Sequence, residues 1–164
     1  MRPCWIEVDL NCLAHNLEQI RKHVGSRKVM AVIKADAYGH GLIETAKLYQ
    51  QLNIDWLAVA IPDEGIALRK AGITVPILVF GGLIKEQIEE LLEWNLELTV
   101  SSLENLSWTN GIAGKMNRSA RVHLKMDSGM ERIGASTKDT GAFIEKAFLC
   151  QNIEIVGFYS HLAC

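Results

Sequence analysis

The chain has 164 residues, of which 49% are hydrophobic and 22% are charged, a balance that excludes a disordered or fibrous protein. Its 17 basic and 19 acidic residues give a net charge of −2, which excludes the basic surface of a nucleic-acid-binding protein. No apolar stretch approaches the roughly 18 residues of a membrane-spanning helix, and Glu7 and Asp9 interrupt any signal-peptide core. We therefore expect a cytoplasmic protein that binds neither nucleic acid nor membrane.

The four cysteines and five histidines are scattered along the chain. Neither a Cys-x-x-Cys pair nor a cluster of cysteine with histidine occurs, although a zinc or redox site needs such proximity. The sequence therefore predicts no metal site, and we expect the cysteines to be free thiols.

Short apolar segments alternate with amphipathic ones from the first residues to the last. Six apolar segments are predicted as strands, at residues 29–33, 56–60, 77–80, 96–100, 120–124 and 153–158. The first three are almost wholly apolar, which is typical of strands covered on both faces. Four of the segments between them have residues suited to begin a helix, namely Asp9, Pro62, Ser101 with Glu104 in a capping box, and Asp139 or Thr140.

Alternating strands and helices predict a parallel α/β sheet, either open or closed into a barrel. No Gly-x-Gly-x-x-Gly motif follows the first strand, which disfavours an open dinucleotide-binding sheet. A complete eight-unit barrel takes about 250 residues, so six units need about 190, close to the length present. We predict a (β/α)8 TIM-type barrel, truncated here after about six strand–helix units.

The first strand is predicted to end in Lys34. Alternation places Met30, Val32 and Lys34 on one face, and the carboxyl ends of barrel strands are where active sites lie. A lysine amine held among apolar groups loses its charge more easily and can act as a nucleophile or base. Gly39 and Gly41 in the following loop let the backbone approach a ligand closely.

Polar residues recur at alternate positions in the fifth strand. Arg121, His123 and Lys125 share one face, where polar groups inside a barrel are costly unless they pair or bind a ligand. Arg132 follows on the next loop, and its guanidinium suits planar recognition of a carboxylate or a phenolate oxygen. One face of the sixth strand is predicted to carry Ile155, Gly157, Tyr159 and His161.

Three motifs, in the same order along the chain, resemble those of the alanine racemase family. They are VIKADAYGHG at residues 32–41, KMDSGMERIG at residues 125–134 and YSHLA at residues 159–163. In addition, residues 5–10, WIEVDL, with Leu13 and Asn16, resemble the family's N-terminal strand and helix.

The resemblance implies an enzyme that uses pyridoxal 5'-phosphate to interconvert L-alanine and D-alanine, supplying D-alanine for cell-wall peptidoglycan. It implies that Lys34 binds the cofactor covalently and acts as the base for the D-isomer. It implies that Tyr38 contacts the cofactor phosphate and that the ring of His161 stacks on the pyridine ring. Arg132 matches a residue that binds the substrate near the phenolic oxygen. Lys125 matches a position that is carbamylated in some members and orients that arginine.

The resemblance also implies parts that we expect outside this sequence. These are the last two barrel strands and a C-terminal β domain, whose tyrosine is the second base across a homodimer interface. Residues 1–164 are thus expected to be the N-terminal portion of the barrel domain. A racemase of another amino acid such as serine, a non-catalytic pyridoxal-phosphate-binding barrel protein and an inactive fragment stay open as alternatives. Whether the gene continues beyond Cys164 distinguishes the fragment.

Overall fold

Six parallel strands follow one another across the sheet in the order in which they occur in the chain. The computed structural model describes residues 4–163, and each strand pairs with its neighbours in sequence. The strands are β1 (Met30–Val32), β2 (Trp56–Val59), β3 (Ile77–Val79), β4 (Glu97–Val100), β5 (Ala120–Lys125) and β6 (Ile153–Tyr159). This is the strand order of a (β/α)8 barrel, of which the described chain forms six units. The predicted fold class is confirmed.

Helices connect the strands and cover one side of the sheet. They are α1 (Leu10–Val24), α2 (Lys34–Gly39), α3 (Leu42–Gln51), α4 (Pro62–Lys70), α5 (Ile88–Glu93), α6 (Leu103–Lys115) and α7 (Thr140–Phe148), with a 3₁₀ turn at Lys85–Gln87. Asp9 caps α1 as predicted, since its carboxylate accepts a hydrogen bond of 2.8 Å from the backbone N–H of Asn11.

Helix α6 begins differently from the prediction. Ser102, rather than Ser101, is the N-cap, because its backbone is extended and its hydroxyl accepts a 3.1 Å hydrogen bond from the Asn105 N–H. The hydroxyl of Ser101 instead donates to the Asn105 side chain over 3.0 Å. The predicted capping box between Ser101 and Glu104 is therefore wrong by one residue.

The segment before α1 is not a strand, contrary to the expectation for residues 5–10. A strand requires a partner, and no strand of residues 4–163 pairs with this segment. Trp5 and Ile6 are exposed accordingly.

The main core lies between the sheet and the helices. Alternate strand residues face this side and are almost completely buried, among them Leu57, Val59, Ile77, Val79 and Leu98. Helix residues such as Leu68 and Phe143 pack against them. Each buried side chain of this size stabilises the fold by about 1.5–3 kcal/mol.

A bulge in β6 changes which residues face that opposite side. Val122 pairs with Ile155, whereas His123 pairs with Gly157, so Val156 is an extra residue in β6. An extra residue reverses the alternation of side chains along a strand. Ile155 therefore packs in the core with Val122, and the prediction that it shares a face with Gly157 is wrong.

Two smaller findings concern the chain as a whole. Cys4, Cys12 and Cys150 are free thiols, as predicted, and Cys164 lies outside the described residues. Between residues 4 and 163, no helix combines the length and the apolar character needed to cross a membrane.

Candidate active site

The face of the sheet that points away from the helices lines a cavity of about 640 Å³. The five residues that were predicted to bind cofactor or substrate, or to support such a residue, lie in its lining, namely Lys34, Tyr38, Lys125, Arg132 and His161. The walls between them are mostly apolar or aromatic, with Met30, Ala58, Leu78 and Phe80 from the first three strands. The volume is in the range of cavities that hold small ligands.

The side chain of Lys34 lines the cavity, and the backbone around it differs from the prediction. Strand β1 ends at Val32, not at Lys34, and the chain then makes a left-handed turn over Ala35–Tyr38. All four residues have φ between 51° and 56°, a conformation that costs about 1–2 kcal/mol for each non-glycine residue. The turn brings Lys34 Nζ to 5.3 Å from the centroid of the Phe80 ring.

Hydrogen bonds close the left-handed turn at both ends. The Ala37 N–H donates to the Ile33 carbonyl over 2.9 Å, and the Asp36 carboxylate accepts a 2.7 Å bond from the Leu42 N–H. The Ala35 N–H donates over 2.6 Å to the side chain of Glu64, at the start of α4. These bonds fix the backbone that carries both Lys34 and Tyr38.

Lys125 lies at the base of the cavity and is 4% exposed. Its Nζ lies 5.3 Å from the centroid of the Tyr159 ring. Among residues 4–163, no carboxylate forms an ion pair with it. Burial and the nearby charge of Arg132 lower the pKa of Lys125, and Asp127 opposes this only in part. The site thus holds an amine that gives up its proton more readily than an exposed lysine.

Tyr38, Arg132 and His161 are exposed and stand at the open rim of the cavity. The loop that carries Arg132 is shaped by Asp127, whose Oδ1 accepts hydrogen bonds of 2.9 Å from the Gly129 N–H and 3.0 Å from the Glu131 N–H. These backbone bonds, from Glu131 first, lower the pKa of Asp127. Because Arg132 is exposed at this rim, its guanidinium can contact an anionic ligand that enters the cavity.

A buried polar cluster lies beneath these groups, and the sequence analysis did not identify its acid. Glu97 Oε2 accepts a 2.7 Å hydrogen bond from His123 and a 2.9 Å bond from the indole N–H of Trp56. Its other oxygen lies 3.0 Å from Arg121 Nη2. Burial raises the pKa of Glu97, but the bonds from His123 and Trp56 and the charge of Arg121 outweigh it, so the pKa is lowered overall.

One signal in the sequence could have found this cluster. Glu97 is the one charged residue in the segment Leu96-Glu97-Leu98-Thr99-Val100, and it lies on the same face as Thr99. Buried acids are retained when they are paired. The prediction that Arg121, His123 and Lys125 share a face is consistent with Arg121 and His123 meeting Glu97.

Tyr159 completes the floor of the cavity. Its hydroxyl lies 2.7 Å from Thr99 Oγ1, which itself donates a 2.9 Å hydrogen bond to the Val79 carbonyl. Because Thr99 has one proton to give, Tyr159 is the donor in the first bond. Burial raises the pKa of Tyr159 to about 12.

The arrangement combines an amine, a guanidinium, a phenol and an imidazole around apolar and aromatic walls. Such donors suit a planar anion, since the cations offset its charge and the walls cover its ring. The chemistry available at Lys34 is addition of its amine to a carbonyl carbon or acceptance of a proton.

Comparison with known proteins gives relatives along almost the whole chain. The family described as "Alanine racemase, N-terminal domain" matches residues 8–164. A curated alanine racemase from Halothermothrix orenii is 44% identical over 163 residues, which are 99% of this chain and 43% of the relative. One from Synechocystis sp. is 42% identical over 97% of this chain and 43% of the relative.

Solved structures agree with the sequence relatives. An alanine racemase from Clostridium difficile 630, in complex with cycloserine, superposes with a TM-score of 0.95 at 40% identity, over 99% of this chain and 45% of that chain. A histidine racemase from Leuconostoc mesenteroides superposes with a TM-score of 0.88 at 27% identity, over 96% of this chain and 42% of that one. The chain spans less than half the length of these relatives. It belongs to the family of alanine racemase N-terminal domains.

Proposed function

We propose that this chain is the N-terminal portion of a pyridoxal-phosphate-binding barrel domain in an alanine racemase. The remaining barrel strands and a C-terminal β domain are then supplied by further sequence, as the greater length of the relatives suggests. The observation that carries the proposal is the shared cavity. The residues that match three separate family motifs, from Lys34 to His161, line one cavity on the face of the sheet that points away from the helices.

The side chains of the cavity suit pyridoxal phosphate in their chemistry. The cofactor is a planar ring with an aldehyde, a phenolic oxygen and a phosphate. An amine (Lys34), a guanidinium (Arg132) and a phenol (Tyr38) are the groups that pair with those three substituents, and the imidazole of His161 can cover the ring. The buried amine of Lys125 adds a proton donor or a cation to the base of the site.

The chemistry that the cofactor supplies when bound is an electron sink for the negative charge left on Cα when its proton departs. Lys34 is the group that we assign to hold the aldehyde carbon. The Nζ of Lys34 would also accept or return the proton at Cα of the substrate on one face. Arg132 binds the carboxylate of the amino acid or the phenolic oxygen. Tyr38 would donate its hydroxyl to the phosphate, and the Phe80 ring lies beside the Lys34 amine, 5.3 Å from Nζ to the ring centroid.

Lys125 is proposed as a carbamylated support for Arg132. Burial and the charge of Arg132 lower the pKa of Lys125, which increases the fraction of neutral amine. A neutral amine adds to carbon dioxide, forming an N–C bond and releasing one proton. The product is an anion that would pair with Arg132. ¹³C NMR of the protein with and without ¹³C-labelled bicarbonate at neutral pH checks this through the carbamate carbon, and the absence of a protein-bound carbamate signal would contradict it.

Racemisation of a different amino acid is the second candidate, and one observation favours it. The solved structure of a histidine racemase is similar over 96% of this chain. The three motifs lie on the side of the site that binds the cofactor, so they do not decide the side chain of the substrate. Rates for L-alanine, L-serine and L-histidine measured in parallel distinguish the candidates.

The proposed partners follow from the family assignment. We propose alanine as the substrate, a homodimer as the active assembly and a supply of D-alanine to peptidoglycan as the role. A tyrosine from a C-terminal domain is proposed as the base on the second face of Cα.

The test is reduction with borohydride in the presence of pyridoxal phosphate, with the protein expressed from its complete coding sequence. The reduction is expected to fix the cofactor on Lys34 as a stable label, and Lys34→Ala should abolish both this labelling and racemisation. Lys28→Ala is the matched control, because Lys28 also lines the cavity but lies over Trp56, at 4.8 Å from its ring centroid. Label on another lysine, or full racemisation by Lys34→Ala, would refute the assignment.

A further inference from the structure

We propose that Glu64 is a positioning residue for Lys34, a role that rests on the proposed function. Its carboxylate holds the left-handed turn, Ala35–Tyr38, in the conformation that presents the Lys34 amine to the cavity. Glu64 lies in the first turn of α4, where an acidic residue interacts favourably with the helix dipole. The contacts of the carboxylate indicate a different role.

The shortest hydrogen bonds of Glu64 lead out of its own helix. Oε1 accepts from the Ala35 N–H over 2.6 Å, and Oε2 accepts from the Ala60 N–H over 2.8 Å. The bond to the Ile61 N–H, which is the one a helix cap would use, is 3.4 Å long. The carboxylate therefore joins the left-handed turn to the end of β2.

The Ala35 N–H is part of the peptide group that follows Lys34. A bond to this N–H restrains the rotation between the Cα and the carbonyl of Lys34, and so the direction in which its side chain leaves the backbone. Within residues 4–163, the other hydrogen bonds outside regular helices that involve residues 34–41 have both partners between residues 33 and 45. Ile33, which precedes Lys34, is itself held to β2, because its N–H donates to the Ala58 carbonyl over 2.9 Å. Glu64 thus provides the hydrogen bond that ties the turn beyond Lys34 to the end of β2.

The turn needs such a link because its conformation is unfavourable by itself. Ala35, Asp36, Ala37 and Tyr38 all have positive φ, and none of them is glycine. Backbone of this kind persists where surrounding contacts determine it. Without the carboxylate of Glu64, the segment can relax toward right-handed conformations, and Lys34 and Tyr38 then move together.

Two substitutions separate positioning from helix capping. Glu64→Gln keeps the size of the side chain but has one acceptor oxygen, so Ala35 and Ala60 cannot both be satisfied. Asp63→Asn is the matched control. It removes the same charge from the same turn of α4, and among the described residues the Asp63 carboxylate accepts no hydrogen bond.

The first measurement is hydrogen exchange of the cofactor-free protein, expressed from its complete coding sequence. In Glu64→Gln, exchange in peptides over residues 34–42 is expected to rise about tenfold or more, the scale set by a hydrogen bond to a charged acceptor. Exchange in β4 and β5 is expected to stay unchanged, and Asp63→Asn is expected to match the wild type.

The second measurement is a titration with pyridoxal phosphate, followed by the absorbance of the bound cofactor. We expect the dissociation constant to rise about tenfold in Glu64→Gln and to stay unchanged in Asp63→Asn. If Glu64→Gln does not fold, Glu64→Asp is used, since its shorter side chain keeps the charge but cannot span both N–H groups. Restoration of wild-type exchange by Glu64→Asp would then contradict the proposal.

Equal exchange in Glu64→Gln and the wild type, or an equal rise in Asp63→Asn, would overturn the role of Glu64. A wild-type protein that binds no pyridoxal phosphate would instead refute the proposed function. The exchange data alone would then decide whether Glu64 holds the turn.

Discussion

Replacement of Gly157 by alanine tests the buried cluster around Glu97. A Cβ at this position would overlap His123 Nδ1 and lie 2.9 Å from His123 Cε1. The His123 ring cannot easily move aside, because its Nε2 is bound to Glu97 over 2.7 Å and its edge contacts Trp56 and Tyr159 at centroid distances of 6.4 Å. Relief of the overlap therefore breaks or lengthens the bond to Glu97.

The expected loss has two parts. Overpacking in a core costs about 1–3 kcal/mol, and a weakened hydrogen bond to a charged group adds about 1 kcal/mol or more. We expect Gly157→Ala to lower the free energy of unfolding by about 2–4 kcal/mol. Gly111→Ala is the control, because Gly111 lies in α6 with no atom within 4 Å of an added Cβ. The same substitution there should stabilise by about 0.5–1 kcal/mol.

Urea denaturation of the wild type and both variants, followed by circular dichroism, measures these differences. The midpoint is expected to fall for Gly157→Ala and to rise for Gly111→Ala. A Gly157→Ala variant as stable as the wild type would show that the His123 ring is free to move. The cluster around Glu97 would then not be rigid.

Four further outcomes are expected. Arg132→Ala should lower the racemisation rate about a hundredfold or more and change the free energy of unfolding by less than about 0.5 kcal/mol. A loss of activity accompanied by a comparable loss of folding stability would contradict a role in binding. Glu97→Gln should destabilise by about 3 kcal/mol at neutral pH. Because the folded pKa of Glu97 is lowered, this difference should persist above pH about 4.5 and disappear as the pH falls through the folded pKa. Between pH 10 and 12 the unfolded chain loses the phenolic proton of Tyr159 while the folded protein keeps it, so stability should fall with pH, and less steeply in Tyr159→Phe. Residues 1–164 expressed alone should associate and show negligible racemase activity, because β1 and β6 are each paired on one side only in the described chain. Light scattering measures the association and an L-alanine assay the activity, and an active monomer would refute this.

The elements of the fold that depend on neighbouring residues could be predicted from the sequence. The apolar segments around Val59 and Val79 became strands, and Asp9 caps α1 as its position indicated. These features follow from the periodicity of apolar side chains and from local hydrogen bonds. The same local patterns placed Lys34 near the carboxyl end of β1, and it lies two residues beyond that end.

Features that depend on distant residues could not be predicted in this way. The left-handed turn contains no glycine among its four residues and is bound by Glu64, which is 29 positions away from Ala35. The bulge at Val156 appears only in the register between β5 and β6. Glu97 in β4 meets Arg121 and His123 in the neighbouring strand β5, so its pairing depends on the sheet rather than on its own segment.

The order of the strands in the sheet has a consequence for synthesis of the protein. Because β2 to β6 each pair with the strand made just before them, the sheet of the described residues can grow from β1 as the chain leaves the ribosome. The left-handed turn is an exception to this sequence of events. Its N–H at Ala35 emerges well before Glu64, so the lysine that follows β1 cannot take its final direction until β2 and the start of α4 have been made.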